Sequence, residues 1–394
     1  MQTCIRVPGH FMRPAKVAFR LTVLAVLAIT LGACAGQHVK PTADYASAPA
    51  RTVRVAYDQD GQIYPRDTSA LDWVAIKPSL YQSRFGGPWR LEKLKDSAGN
   101  LPYPSVKARA QHDAEQELDQ ALRGADMLVV LIHGFNNNYG EARAAYDLIR
   151  DRIMRDTSRT AYLEVFWDGL ELRSDRGRDK VGYVSFWPDA LTYSNIAGQF
   201  GLRPLLNSIG HDVDLRFVTH SRGAAVALAA LADPIYDPHI AKPETTPANR
   251  ALANPRIRSI GIASFAPAIG AGHLSPGLDQ ALASHPAVFL AGVNPDDIAT
   301  SKSIISSRFW GDTSLGSRPG YLFEQQASRR ANLVLLAGVF RHGSEHALEA
   351  YFRDVALSNC FLQTIQLRPE TAPCRFMGNL PVAPMAALPE AARD

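Results

Sequence analysis

Hydrophobic positions along this chain fall into short unbroken runs separated by stretches of mixed polarity. Met127-Leu128-Val129-Val130-Leu131-Ile132 is wholly apolar, and Tyr162 to Trp167, Leu215 to Thr219, Ile257 to Ala266, Ala287 to Val293 and Leu333 to Val339 are built in the same way. Runs of this length predict strands covered on both faces, as a parallel sheet requires. Thr52 to Tyr57 alternates instead, predicting a strand, and Asp60-Gly61 predicts a hairpin turn into Gln62-Ile63-Tyr64. Helical spacing places Ala142, Ala145, Tyr146, Ile149 and Ile153 on one face, and Ala114 to Leu122 predicts a further helix. Asn195 to Ile209 reads as mostly helical, with a break expected from Gly198, Gly201 and Pro204. Strand and helix alternate, which predicts one α/β domain with a mostly parallel, doubly wound sheet and helices on both faces.

The less patterned stretches mark the boundaries. Leu71 to Pro104 is punctuated by Gly86-Gly87-Pro88 and Gly99-Asn100, predicting loops and short strands, and Leu170 to Val184 is a charged insertion. Pro369 to Asp394 carries Pro373, Pro381, Pro384 and Pro389 and predicts an irregular tail. The expected organisation is a signal over residues 1–33, a cysteine and flexible tether over 34–50, a domain over 51–365 and a Pro-rich tail over 366–394. Within the domain, a core over 125–352 follows an N-terminal strand extension over 51–124.

Charge adds a location rather than a partner. The formal net charge of the 394 residues is +4, and Arg6, Arg13, Lys16 and Arg20, all ahead of residue 33 in a stretch without acids, account for it. The rest of the chain is balanced, so no nucleic-acid footprint is present. Arg13, Lys16 and Arg20 form a positive segment ahead of the apolar run Leu21 to Leu31, which is short for a membrane span and right for an export signal. The run ends in Leu31-Gly32-Ala33-Cys34, which resembles the lipobox of bacterial lipoproteins. That resemblance implies that Cys34 carries acyl chains and anchors the chain to a membrane. Ala35 and Gly36 lack the Asp that often marks inner-membrane retention, so the expectation is an outer-membrane lipoprotein facing the periplasm. The alternative is a plain secretory signal cleaved nearby, with Cys34 incidental. In an oxidising compartment Cys360 and Cys374 are then expected to pair, a bridge worth about 3 kcal/mol for a loop of that length.

The candidate chemistry centres on Thr219-His220-Ser221-Arg222-Gly223, where an apolar run stops and the Ala-rich pattern Ala224-Ala225-Val226-Ala227-Leu228 begins at once. A serine on a strand-to-helix turn stands clear of the sheet at a helix N-terminus, where backbone N–H groups favour developing negative charge. In hydrolases built on such a turn the acid follows the serine and the histidine comes last. After Ser221, Asn294-Pro295-Asp296-Asp297 follows an apolar run, and His342 and His346 are the only later histidines. Asp297 is preferred over Asp296 because a helical run begins there, and His346 over His342 because it opens the pattern Ala347 to Phe352. The oxyanion donors expected are the backbone N–H of Arg222 and of Phe135. His133 is read as structural and His220 as packing, its side chain directed away from the serine hydroxyl. No Cys/His cluster has metal-ligand spacing and no glycine-rich phosphate loop follows a strand, so neither metal nor cofactor is expected.

Leu131 to Asn137, Thr219 to Gly223 and Asn294 to Ala299 together resemble bacterial α/β-hydrolases of a poorly characterised lipase-like family with a His-Gly-Phe-Asn loop and a His-Ser-x-Gly elbow. The resemblance covers Ala125 to Phe352. It implies an α/β-hydrolase fold and serine-hydrolase chemistry on an ester or related acyl bond without naming a substrate; the partner expected is a small-molecule or lipid acyl substrate. Thr219 stands where the elbow commonly has Gly. Arg222 replaces a common Met, which places a charge near the expected site mouth. Arg173, Arg176, Arg178 and Lys180 are nearly balanced by Glu171, Asp175 and Asp179, so that insertion reads as a solvated loop before it reads as a receiver of an anionic headgroup. Two other readings stay open: a hydrolase-fold envelope module that binds without turnover, and an acyltransferase using the same three residues.

Overall fold

A computed structural model describes residues 43–376 except 59, 67–102, 136, 138, 169–189, 235, 237–243, 275, 302–312, 319–332 and 372. The expected signal, Cys34, most of Leu71 to Pro104, the charged insertion and residues 377–394 lie outside the described residues.

Among the described residues seven strands form one sheet: β1 (Thr52–Tyr57), β2 (Met127–Ile132), β3 (Thr160–Trp167), β4 (Val213–His220), β5 (Ile257–Phe265), β6 (Ala287–Val293) and β7 (Leu333–Val339). Their spatial order is β1-β3-β2-β4-β5-β6-β7 and every pairing is parallel. β4 is therefore central. Its neighbours hold it in register, with Ile132 beside Thr219 and His220 beside Phe265, so β2, β4 and β5 end at one edge. In open α/β sheets that carboxyl edge is where ligands bind.

Each face of the sheet carries its own apolar layer. On one side lie α1 (Tyr103–Leu122), a helical path over residues 190–207 that ends in α3 (Arg203–Asn207), and α4 (Gly223–Leu231). On the other lie α2 (Tyr139–Arg150), α6 (Leu348–Arg353) and α7 (Val355–Thr364). A short α5 (Ile298–Ser301) follows β6. All nine residues of α4 are buried, which is why it is written almost entirely in Ala, Leu and Val. Parallel strand order, helices on both faces and a serine turn after the central strand make this an α/β-hydrolase fold.

Four local expectations are corrected. The tether does not run free to residue 50. Ala43–Ala46 is a 3-10 turn whose Tyr45 is buried, and its phenol oxygen accepts the Ala56 N–H at 2.9 Å. The expected hairpin closes its turn, with Gly61 at φ +71° and its N–H donating to the Asp58 carbonyl, but the return leg makes only the bridge Tyr57–Ile63. α1 begins at Tyr103, well before Ala114. The break in the 190–207 path is a π-helical turn, Ala197–Leu202, that leaves the path continuous. Gly198 there faces the Val226 carbonyl so closely that any Cβ would collide with it.

The tail begins fastened. Cys360 and Cys374 form a disulfide with Cα atoms 5.5 Å apart, Phe376 packs on Phe361, and Leu367, beyond the expected boundary, is buried. Among the described residues no helix is long and apolar enough to cross a membrane.

Candidate active site

The turn between β4 and α4 holds Ser221 at φ +52°, a left-handed conformation that costs a non-glycine residue about 1–3 kcal/mol. The surroundings over-determine it. The Ser221 N–H donates to the Phe265 carbonyl at 2.9 Å, and the Ser221 carbonyl accepts from the N–H groups of Ala224 and Ala268 at 3.2 and 3.1 Å. Gly223 lets α4 start hard against the end of β2, since a Cβ there would lie 2.6 Å from the carbonyl oxygens of both Ile132 and His133. The Thr219 hydroxyl donates sideways to Ser264 Oγ on β5 at 2.8 Å.

His346 lies just ahead of α6 with Nε2 2.8 Å from Ser221 Oγ and Nδ1 2.7 Å from Asp297 Oδ2. Asp297 stands immediately before α5, fully buried, and its Oδ1 accepts the Ala299 and Thr300 N–H groups at 2.8 and 3.3 Å. Burial works against its ionisation. The hydrogen bond from His346, the charge of that ring and the two amides outweigh it, holding the carboxyl below its ordinary range. With Nδ1–H given to the carboxylate, Nε2 is left to accept the serine proton.

The alternates lie apart from this chain of contacts. Asp296 is exposed, its N–H donating to Asn294 Oδ1. His342 sits edge-on to Tyr351 at 4.4 Å with Nδ1 3.3 Å from Asn294 Nδ2, and burial pulls its pKa down.

Phe135 is buried at the end of β2 and lines the same cavity as Ser221, while Arg222 opens α4. The Arg222 side chain corrects the expectation of a charge at the mouth. It is 1% exposed and runs inward, donating to Ser194 Oγ at 2.7 Å, the Leu191 carbonyl at 2.8 Å and the Ala268 carbonyl at 3.0 Å. Burial pulls its pKa down to about 9.

His133 is enclosed. Its Nε2 accepts the Trp167 N–H at 3.1 Å, its Nδ1 donates to the Gly134 carbonyl at 2.7 Å, and its ring stacks on Trp167. Burial lowers its pKa to about 4, which keeps it neutral. His220 does more than pack: its Nε2 lies 2.7 Å from the His346 carbonyl. Asn294, which the hydrophobic pattern does not mark out, donates from Nδ2 to the Gly343 carbonyl at 2.7 Å and so braces the loop that carries His346. Its place in the Asn-Pro-Asp-Asp run was the available signal.

Above Ser221 and His346 opens a cavity of about 280 Å³, walled by Phe135, Ala145, Ile149 and Leu348. That is at the small end of ligand pockets, which span roughly 300–1,000 Å³. Among the described residues no group of three or more His, Cys, Asp and Glu side chains is placed to hold a metal ion.

No protein-family model and no curated protein sequence matches this chain. Solved structures similar to it include esterase PE8, at 16% identity and TM-score 0.31 over 61% of this chain and 94% of that one. Esterase 2 of Thermogutta terrifontis phosphorylated by paraoxon is 13% identical, with TM-score 0.28 over 62% of this chain and 85% of that one. The propionate-bound form of that Thermogutta esterase is 12% identical, with TM-score 0.29 over 64% of this chain and 88% of that one.

Proposed function

We propose that this chain is a serine hydrolase that cleaves an ester or related acyl bond through an acyl-enzyme. One observation carries the reading: Ser221 Oγ, His346 and Asp297 form a continuous hydrogen-bonded chain beneath a strained strand-to-helix turn. A serine hydroxyl is a weak nucleophile until a base takes its proton, and a base works best when a third group sets its tautomer. His346 is that base and Asp297 the group that orients it.

Ser221 Oγ attacks the acyl carbonyl carbon as its proton passes to His346 Nε2. The backbone N–H groups of Arg222 and Phe135 receive the oxyanion, each such donor being worth a factor of about 10²–10³ in rate. The intermediate collapses, the alcohol leaves with the proton from His346, and the acyl group remains on Ser221. Water then attacks that ester, gives its proton to His346, and the second intermediate releases the acid as Ser221 regains its hydrogen. Asp297 stays ionised throughout and stabilises the imidazolium.

The small cavity, with Phe135, Ala145, Ile149 and Leu348 among its walls, supports a short acyl group as substrate. Hydrolysis of a series of acyl esters of increasing chain length tests this. Activity highest for short chains and absent from Ser221→Ala is expected, and equal turnover by the variant would remove the reading.

The export reading belongs to the same proposal: a lipid on Cys34 holds the domain at the outer membrane, facing the periplasm. The Cys360–Cys374 disulfide supports an oxidising compartment. Detergent-phase partition of the full chain, lost in Cys34→Ser, is the expected outcome.

A further inference from the structure

We propose that His220 is a positioning residue of this site, its imidazole fastening the backbone of His346 to the nucleophile turn. This rests on the reading of Ser221 and His346 given above and adds to it the device that sets their separation.

His220 is the last residue of β4 and Ser221 follows it directly, so whatever holds the His220 ring also holds the start of the strained turn. Its Nε2 lies 2.7 Å from the carbonyl oxygen of His346, 126 residues further along the chain. A carbonyl only accepts, so Nε2 carries the hydrogen and Nδ1 is bare. The bare side faces the loop after β2. A Cβ built on Gly134 would come within 3.0 Å of His220 Nδ1 and 2.9 Å of the Ser221 Cβ, so only a glycine lets that loop close on both. The ring therefore ties the histidine loop to the serine turn, and the glycine lets the loop carrying Phe135 close up beside it.

The ring also suits a position beside a base that becomes charged. The rings of His220 and His346 are 5.0 Å apart. Burial, and then the neighbouring His346, pull the His220 pKa down to about 3, so it stays a neutral Nε2–H donor while His346 is an imidazolium. Asn294 holds the same loop from its other side through the Gly343 carbonyl. Between the two, the backbone on either side of His346 is pinned, and its Nε2 is delivered to Ser221 Oγ at 2.8 Å. A displacement of about 1 Å at such a contact costs about 10²-fold in rate.

Two measurements test this. Long-range ¹H–¹⁵N correlation on the wild-type protein between pH 5 and 8 reads the tautomer of His220. A neutral Nε2–H ring is expected, and an Nδ1–H tautomer or a protonated ring overturns the proposal. The second compares His220→Leu, which keeps bulk but not the donor, with His220→Gln, whose amide nitrogen reaches the same carbonyl. His220→Leu is expected to lower kcat by about 10²-fold with KM within about twofold, and to broaden the low-field proton of the His346–Asp297 pair. His220→Gln is expected to recover most of the rate. Equal loss in both variants, or none in either, overturns the proposal. A wild-type chain inert towards esters and phosphonates fails at Ser221 instead, and the tautomer, read on resting protein, separates that failure from this one.

Discussion

His346 Nδ1 and Asp297 Oδ2 lie 2.7 Å apart, joining a ring at the cavity floor to a carboxylate with no solvent exposure. The same carboxylate accepts two backbone amides, so its orientation is set independently of the histidine. Asp297→Asn keeps the shape but presents an amide that no longer fixes the tautomer of His346. By analogy with the corresponding change in chymotrypsin-type enzymes, kcat is expected to fall by about 10⁴-fold. Steady-state kinetics with a short acyl ester checks it, and Asp296→Asn serves as a control expected to leave kcat within about twofold.

Acid should destabilise this fold through the histidines whose pKa values burial pulls down, His220 and His273 as well as His133, before it reaches most carboxylates. The His133 ring is buried and neutral with a pKa near 4, whereas in the unfolded chain it titrates near 6.5. Between those values the unfolded state binds a proton that the native state does not. Stability therefore falls as pH drops from about 6.5 towards 4, by roughly 1.4 kcal/mol per pH unit for this group. Urea denaturation across that range should show the slope, and His133→Gln should show it reduced by about one proton. Asp297, whose native pKa is depressed, contributes stability above its unfolded pKa that is lost on further acidification through its native value.

Gly223→Ala should separate α4 from β2. The added Cβ meets two carbonyl oxygens at 2.6 Å, both backbone, so the helix start must move. Overpacking of this kind costs about 1–3 kcal/mol. The expected result is a lowered midpoint in thermal unfolding together with a fall in kcat, since the moving segment begins two residues after Ser221.

Arg222→Lys is expected to behave as an interior change rather than a surface one. The guanidinium spreads donors over Ser194, Leu191 and Ala268, and an ammonium cannot reach all three. Each buried acceptor left without a donor costs about 1–3 kcal/mol. Thermal unfolding should register that loss, while a charge at the site mouth would have altered KM for anionic substrates and left stability alone.

Reduction of the Cys360–Cys374 bond, or Cys360→Ser, should lower stability by about 3 kcal/mol on the loop-closure model. Unfolding with and without reductant measures it.

What was legible in the sequence is what short-range pattern encodes. β2, β6 and β7 announced themselves because strands buried on both faces show no polar alternation, whereas β1 alternates and is still buried because Arg54 pairs with Glu164. A helix beginning beside Asp297 sets it apart from Asp296, and the α6 pattern just after His346 sets it apart from His342. What was hidden depends on contacts between distant segments. The inward course of Arg222 is set by the carbonyls of Leu191 and Ala268, and a charged residue in a turn reads as exposed without them. His220 reaches the His346 backbone, and Tyr45 enters the core from a stretch whose composition reads as a tether. Gly198 and Gly201 read as helix breakers, but their missing side chains admit the Val226 carbonyl and the Tyr57 ring while the path stays helical.

Covalent trapping tests directly whether Ser221 is an activated nucleophile. The full chain is treated with a fluorophosphonate and the modified peptide is located by mass spectrometry. Stoichiometric phosphonylation of Ser221 is expected, absent in Ser221→Ala and strongly slowed in His346→Gln. An unmodified Ser221, or labelling that persists in the alanine variant, would contradict that role.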